Sequence, residues 1–424
     1  MSTLIEAVEE FISGDWGAEN YSPDSSNDVV CIRGADIEDV QGGIYHAIPV
    51  RYISSSSLTN KRLKAGDIVI EKSGGSPTQS TGRTCYISEN LLKEKKDVVC
   101  SNFCAAFRIK ETWDYKYIYY YIQNIYNQGN FFNFEGKTSG IRNLLLDTAF
   151  KSIPLPSIGK KDQTNLSRVL ECLDQKIALN TRMNAELEAM AKQLYDYWFV
   201  QFDFPFDFAQ GKPDENGKPY KSSGGKMVWN EKLKREIPEG WEESTLSEIA
   251  NITMGQSPDG STYNSNGNGI VFYQGSTDFG IRFPSVRMFT TAPTRFAKKG
   301  DILMSVRAPV GDTNIANMNC CIGRGLSALN SKIGSTTHLY HILGDLKAKF
   351  DQLNAAGTTF GSITKDELYS LPVVKPSSTV LLSFEDICSP MFEKQMKIGY
   401  EIEHLTHLRD SLLPMLMNGQ VTIE

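Results

Sequence analysis

The apolar positions of this chain fall into two rhythms. Over much of residues 1–155 and 241–373 they come as short runs behind turns. Lys64-Ala65-Gly66-Asp67 precedes Ile68-Val69-Ile70, and Lys298-Lys299-Gly300-Asp301 precedes Ile302-Leu303-Met304. A Gly-Asp turn ahead of a short apolar run reads as turn then strand. Tyr117 to Ile122 and His338 to Leu343 echo each other and read as helix. Behind Pro154 and Pro372 the rhythm changes to alternating steps of four and three. One set is Leu166, Leu170, Leu173, Ile177, Asn180, Asn184, Leu187, Ala191, Leu194 and Trp198. The other, at a constant offset of 218, is Phe384, Cys388, Met391, Gln395, Ile398, Ile402, Leu405, Arg409, Leu412 and Leu416. A repeat near 3.5 residues held this long predicts a coiled-coil seam. Each helix should run about 35 residues, roughly 50 Å at the rise of an α-helix.

The two rhythms recur in the same order, so the chain is a diverged duplication. Val30-Cys31-Ile32-Arg33-Gly34 matches Val271-Phe272-Tyr273-Gln274-Gly275, and Ile153-Pro154-Leu155 matches Leu371-Pro372-Val373. Pro154 to Leu187 and Pro372 to Leu405 are both 33 residues. The fold expected is α/β (α+β): two similar globular domains, 1–155 and 241–373, separated by two long helices forming an antiparallel coiled coil. The helical regions are placed at 156–201 and 374–420. Asn180, Asn184, Gln395 and Arg409 interrupt the seam, and polar groups there set register and partner. Pro390 should kink or split the second helix, Gly399 weakens it, and Pro414 marks its last turns. Residues 202–240, rich in Gly, Pro, Ser and Lys, read as a linker.

A length of 424 residues fits two domains with extra elements. No run of 18 apolar residues occurs, so no membrane-spanning helix and no membrane partner are expected. The start, Met1-Ser2-Thr3-Leu4 leading into Glu6, Glu9 and Glu10, has no signal-peptide character, and a cytoplasmic location is expected. The eight cysteines are then expected to be reduced. His338/His341 and His404/His407 have one-turn spacing, but without further ligands ordinary packed or surface histidines are the better account, and no metal site is expected. A net charge of −6 argues weakly against nucleic acid until its distribution is considered. From Arg282 to Arg324 there are seven basic residues against two acidic, and from Lys61 to Arg83 five against two.

Catalytic signatures fail in turn. Gly136-Lys137-Thr138 lacks the first glycine of a phosphate loop, since position 131 is Phe131. There is no Pro-Pro pair of the kind an amino-methyltransferase carries, no Gly-x-Ser-x-Gly and no His-Glu-x-x-His. Glu94-Lys95-Lys96 is a poor nuclease motif. Recognition is what remains, because Arg, Lys, Gln and Asn contact phosphates and base edges. The candidate DNA-binding residues in the first domain are Lys61, Arg62, Lys72, Ser76, Thr78, Gln79 and Arg83. In the second they are Gln256, Ser257, Tyr263, Gln274, Ser276, Thr277, Arg282, Arg287, Arg307 and Arg324. Two diverged domains would read two different half-sequences of double-stranded DNA.

Leu187-Glu188-Ala189-Met190-Ala191-Lys192-Gln193-Leu194-Tyr195-Asp196-Tyr197-Trp198-Phe199 resembles the end of the central helical region in the specificity subunits of type I restriction–modification enzymes. Ile237-Pro238-Glu239-Gly240-Trp241, with Leu246-Ser247-Glu248-Ile249, resembles the opening of their second target recognition domain. Leu405-Thr406-His407-Leu408-Arg409-Asp410-Ser411-Leu412-Leu413-Pro414 resembles the end of their distal helix. The resemblance implies a non-catalytic subunit that reads a bipartite sequence, with the helices as a ruler for the gap. It implies two modification subunits carrying S-adenosylmethionine that methylate adenine N6, and restriction subunits using ATP and Mg. The opening through Asp15-Trp16-Gly17 departs from the family pattern. The competing class is a stand-alone DNA methyltransferase or nuclease.

Overall fold

A computed structural model describes residues 2–76, 79–138, 141–355 and 361–421. The chain divides into two compact units, Met1–Asn180 with Ile402–Glu424, and Thr181–Glu401.

The first unit opens on α1 (Leu4–Ala7), whose start is set by a capping box in which Thr3 and Glu6 satisfy each other's backbone donors. The strands that build its main sheets include β1 (Val8–Ser13), β2 (Asn27–Ile32), β3 (Ile68–Glu71), β4 (Thr84–Tyr86), β5 (Val98–Cys100) and β6 (Cys104–Ile109). Strands β1, β6, β3 and β4 pair antiparallel in that order, while β2 runs parallel to β5. Helix α2 (Tyr115–Asn127) and the long α3 (Lys160–Tyr195) come next. β3 is a continuous apolar run because both its faces are covered. Ile68 and Ile70 join Phe107 and Tyr117 in one core cluster, and Val69 joins Ile32, Cys85 and Val98 in another.

The second unit repeats the order of these elements. α4 (Leu246–Ile249) has the same capping box, from Thr245 and Glu248. Strands β7 (Ala250–Met254), β8 (Ile270–Tyr273), β9 (Ile302–Ser305), β10 (Thr313–Ile315), β11 (Cys320–Ile322) and β12 (Leu326–Ser331) follow. The antiparallel order is β7, β12, β9, β10, and β8 runs parallel to β11. Each strand is therefore the counterpart of the one numbered six lower. Ile302 and Met304 again face one cluster and Leu303 the other. α5 (Thr336–Ala355) and α6 (Ser378–Met417) stand where α2 and α3 stand in the first unit. In both units the residue before the opening helix pairs with the repeated proline, Thr3 with Pro154 and Thr245 with Pro372. The first domain's counterpart of the family's opening is thus Thr3–Ala7, well before Asp15-Trp16-Gly17.

Every one of the twenty seam positions is buried or half-buried. In the first unit Leu166 and Leu170 share a core with Leu413 and Leu416. In the second, Gln395 donates to the Asn184 carbonyl (3.3 Å) and to Glu188 (2.8 Å). The start of α3 meets the end of α6 in one unit, and the end of α3 meets the start of α6 in the other, so the helices run antiparallel.

Two expectations are corrected. α6 is not split at Pro390. The missing N–H removes one backbone bond, at about 3 kcal/mol, but Phe384 and Cys388 on the preceding turns are completely buried and hold the helix to the core. Gly399 has a positive role: a Cβ there would lie 2.7 Å from the Phe283 ring, which stacks on Tyr400. Residues 202–240 are ordered, not a loose linker. Pro205–Asp207 pairs with Lys212–Pro213 and Lys218–Pro219, and Met227–Asn230 pairs with Arg235–Pro238. Phe204 stacks between Tyr220 (4.7 Å) and Trp241 (5.3 Å) within the core of the second unit. Its turn-rich composition belongs to hairpins. Among the described residues no helix is long and apolar enough to cross a membrane.

Candidate nucleic-acid interface

The loops at one end of each sheet are fastened by the same backbone hydrogen bonds. In the second unit the Gly323 N–H donates to Tyr273 O (2.8 Å), Gln256 N–H to Ile322 O (3.0 Å), Leu326 N–H to Gly323 O (3.0 Å) and Val306 N–H to Gly325 O (2.9 Å). In the first unit the corresponding bonds are Ser101 to Ile32 (2.9 Å), Asp15 to Cys100 (2.7 Å), Cys104 to Ser101 (2.9 Å) and Lys72 to Phe103 (2.8 Å). These four bonds draw the ends of β1, β2, β3, β5 and β6, or of their counterparts, around one tight turn. Packing there is close enough to demand glycine. A Cβ on Gly14 would sit 1.9 Å from the Ser101 carbonyl, and one on Gly255 2.2 Å from the Gly323 carbonyl. The bonds also equate residues across the duplication: Asp15 with Gln256, Arg33 with Gln274, Ser73 with Arg307, and Asn102 with Arg324.

In the second unit this end gathers several of the residues expected from sequence. Gln256, Gln274, Thr277, Arg307 and Arg324 are exposed. The Ser257 hydroxyl accepts from the Arg324 N–H (3.2 Å) and steadies that turn. Ser276 lies half-buried in a short 3-10 turn whose Asp278 accepts from the Gln274 N–H (2.8 Å). Arg287 is tied to the same Asp278 (2.9 Å) and to the Thr277 carbonyl (2.9 Å), so it braces the loop. Tyr263 donates to the Pro258 carbonyl (2.9 Å) and packs on Phe272 (4.9 Å), again as support.

Arg282 does not belong to this face. It is 9 % exposed, donates to Glu188 (3.0 Å) and Gln395 (3.0 Å), and lies over the rings of Phe392 (4.8 Å) and Tyr340 (5.3 Å). A buried guanidinium whose two terminal nitrogens are bonded within its own fold and whose face lies on two rings is structural, and its place among DNA-binding candidates is withdrawn. The same holds for Arg83, which makes two bonds to Glu71 (3.0 and 2.8 Å) and one to Glu38 (3.4 Å). The Glu71 hydrogen bonds push its pKa above the ordinary arginine value. Glu71 in turn sits under Gly34 and Gly74, where a Cβ would come within 2.8 and 2.7 Å of its oxygen.

The rest of the first-unit candidates are dispersed. Lys61 reaches the Gly14 carbonyl (3.1 Å) and Asp15 (3.7 Å), bracing the turn from behind. Arg62 pairs with Asp97 (2.8 Å), away from the turn. Lys72 is at the turn, half-exposed. The Ser76 hydroxyl accepts from the Gln79 N–H (3.0 Å), and Gln79 is exposed. Thr78 lies outside the described residues. Sequence reading passed over Arg295, Asn102 and Phe103, all exposed. Arg33 was legible through the Arg33-Gly34/Gln274-Gly275 match, but it is bound to Asp36 (2.9 and 2.7 Å).

The histidines of α5 are packed. His338 lies 4.5 Å from the Phe199 ring and His341 5.3 Å from Tyr195. Burial pushes the His338 pKa down to about 3, and burial lowers that of His341 as well.

The chain is similar to known proteins in sequence and in fold. The family described as "Type I restriction modification DNA specificity domain" matches residues 50–189 and again 238–379. The chain is 28% identical over 320 residues to a Methanocaldococcus jannaschii protein named "Putative type I restriction enzyme MjaX specificity subunit", covering 73% of this chain and 68% of that one. It is 24% identical over 329 residues to the type I restriction enzyme HindI specificity subunit of Haemophilus influenzae, covering 64% and 69%. In fold it is similar to a solved type I restriction-modification S subunit from M. genitalium, with a TM-score of 0.57, 16% identity, and 98% and 95% of the two chains covered. The chain belongs to the type I restriction–modification DNA specificity family, and carries that family's domain twice.

Proposed function

We propose that the chain is the recognition subunit of a type I restriction–modification complex and reads an asymmetric, bipartite sequence in double-stranded DNA, one part through each domain. The observation that carries this is the shared loop scaffold with different side chains on it. Arg324 and Arg307 stand in one domain where Asn102 and Ser73 stand in the other. Equal frames with unequal donors and acceptors suit two unequal half-sites. The long helices, with their unexposed seams, suit a ruler between the half-sites. In this reading the chain has no catalytic residues. Two modification subunits bring S-adenosylmethionine and methylate adenine, and restriction subunits bring ATP and Mg.

The test is to express the chain with its modification subunits and map methylated adenines across a genome. The expected outcome is one motif with two dissimilar parts and a fixed gap. A contiguous or palindromic motif would overturn the two-domain reading. Binding of S-adenosylmethionine by the purified chain alone would overturn the non-catalytic one and favour a stand-alone methyltransferase. Inserting seven residues into both seams, after Ile177 and after Gln395, should change the gap and leave both half-sites as they were.

A further inference from the structure

We infer that Arg324 and Asn102 are equivalent base-reading positions, one in each domain, and that the identity of the side chain there sets one base pair of each half-site. This rests on the proposal that the chain reads DNA, and names where it does so.

Three observations single out this pair. First, the position is fixed by backbone. It is the middle residue of a three-residue turn, Gly323-Arg324-Gly325 or Ser101-Asn102-Phe103, joining a strand of the parallel pair to the long antiparallel strand. The two ends of each turn are tied by one hydrogen bond, and neighbouring loops fasten it on both sides. A side chain on such a turn is presented at low conformational cost. Second, both side chains are exposed and, among the described residues, neither makes an ion pair or side-chain hydrogen bond. The other equated residues of the first domain are engaged within the protein. Asp15 pairs with Lys61 and Ser57, Arg33 with Asp36, and Ser73 donates to Asn143 (2.5 Å). Third, the two residue types are those with planar groups that hold a base edge at two points. Arginine matches the O6 and N7 of guanine, and asparagine matches the N6 and N7 of adenine. Gly325 gives the arginine turn its room, since a Cβ there would meet the Gln274 carbonyl at 2.6 Å.

The experiment uses the intact complex of this chain with its modification subunits, and reads the methylation motif and competition binding on duplexes. Arg324→Asn is expected to lower discrimination at one G·C pair of the second domain's half-site on the order of 10–100-fold, leaving the other half-site unchanged. Asn102→Arg is expected to alter one A·T position in the first domain's half-site only. Arg324→Lys keeps the charge and loses the fork, and should lose discrimination nearly as far as Arg324→Asn. Retention of the wild-type motif by Arg324→Asn and Asn102→Arg would overturn the inference. So would equal weakening on all sequences with Arg324→Lys behaving as wild type, which marks a phosphate contact. If the wild-type complex itself shows no sequence preference, the DNA-reading proposal has failed instead.

Discussion

At the start of α2 in the first unit a carboxylate sits on the loop and hydroxyls sit on the long helix. Asp114 accepts from the Tyr117 N–H (2.9 Å), Thr164 (3.0 Å) and Ser167 (3.1 Å). At the start of α5 in the second unit the roles are exchanged. Ser335 caps His338 N–H (3.2 Å) and donates to Glu385 on the long helix, which also accepts from Thr337 (2.5 Å). Ser167 and Glu385 are the same seam-numbered position, 218 apart. Two substitutions have compensated each other, and the joint between domain and helix is preserved. At the loop end no such compensation is found: Asn102 and Arg324 differ, and nothing among the described residues answers the difference. Where the copies diverge in matched pairs, the partner is internal. Where they diverge singly on an unchanged backbone, the partner lies outside.

The strongest way to break this contrast is at Arg282, which sequence alone placed with the DNA-binding arginines. Arg282→Ala would leave Glu188 and Gln395 facing each other without their shared cation. Breaking a buried pair costs 3–5 kcal/mol, and the Glu188 side chain is 37 % exposed, so about 2–3 kcal/mol is expected here. Chemical denaturation should show the loss. A variant of wild-type stability with weakened DNA binding would put Arg282 back on the recognition face.

A smaller effect sharpens the joint. Asp114→Ala removes a cap and an acceptor shared by two hydroxyls, each of which keeps a backbone carbonyl, and should cost about 1 kcal/mol. The double variant Asp114→Ser with Ser167→Glu imports the second unit's arrangement. It should recover a substantial part of that loss, whereas Asp114→Ser alone should not. Equal stability of the single and double variants in urea melts would show that the exchange is not a compensation.

These cases also show what a single sequence makes legible. The seam was readable because its period is local, and all twenty positions are covered as it required. The β3 and β9 runs were readable because a strand buried on both faces is written as consecutive apolar residues. Arg282 was misread because a run of basic residues says nothing of partners 94 and 113 positions away. Asn102 was missed because its place is defined by parallel pairing of β2 with β5, a long-range contact. Its neighbours Cys100 and Cys104 are buried free thiols. Residues 202–240 misled because hairpin turns and flexible linkers share a composition.

The smallest effect separates the two domains by pH. His338 stands where the first domain has Tyr117, each bonded to the cap at the start of its helix. Burial holds the His338 pKa at about 3, below the ordinary 6.5. As pH falls below 6.5 the unfolded chain takes up this proton before the folded one does. Stability is therefore full above 6.5 and declines as pH falls toward about 3. One such histidine removes about 1.4 kcal/mol by pH 5.5. His338→Leu should reduce this acid slope, His341, whose pKa burial also lowers, keeping the rest, and Tyr117→Leu should leave the profile's shape between pH 6.5 and 5.5 unchanged. Urea midpoints at pH 7.5, 6.5 and 5.5 decide it: an identical acid slope in wild type and His338→Leu would show that this histidine is not what distinguishes the two copies.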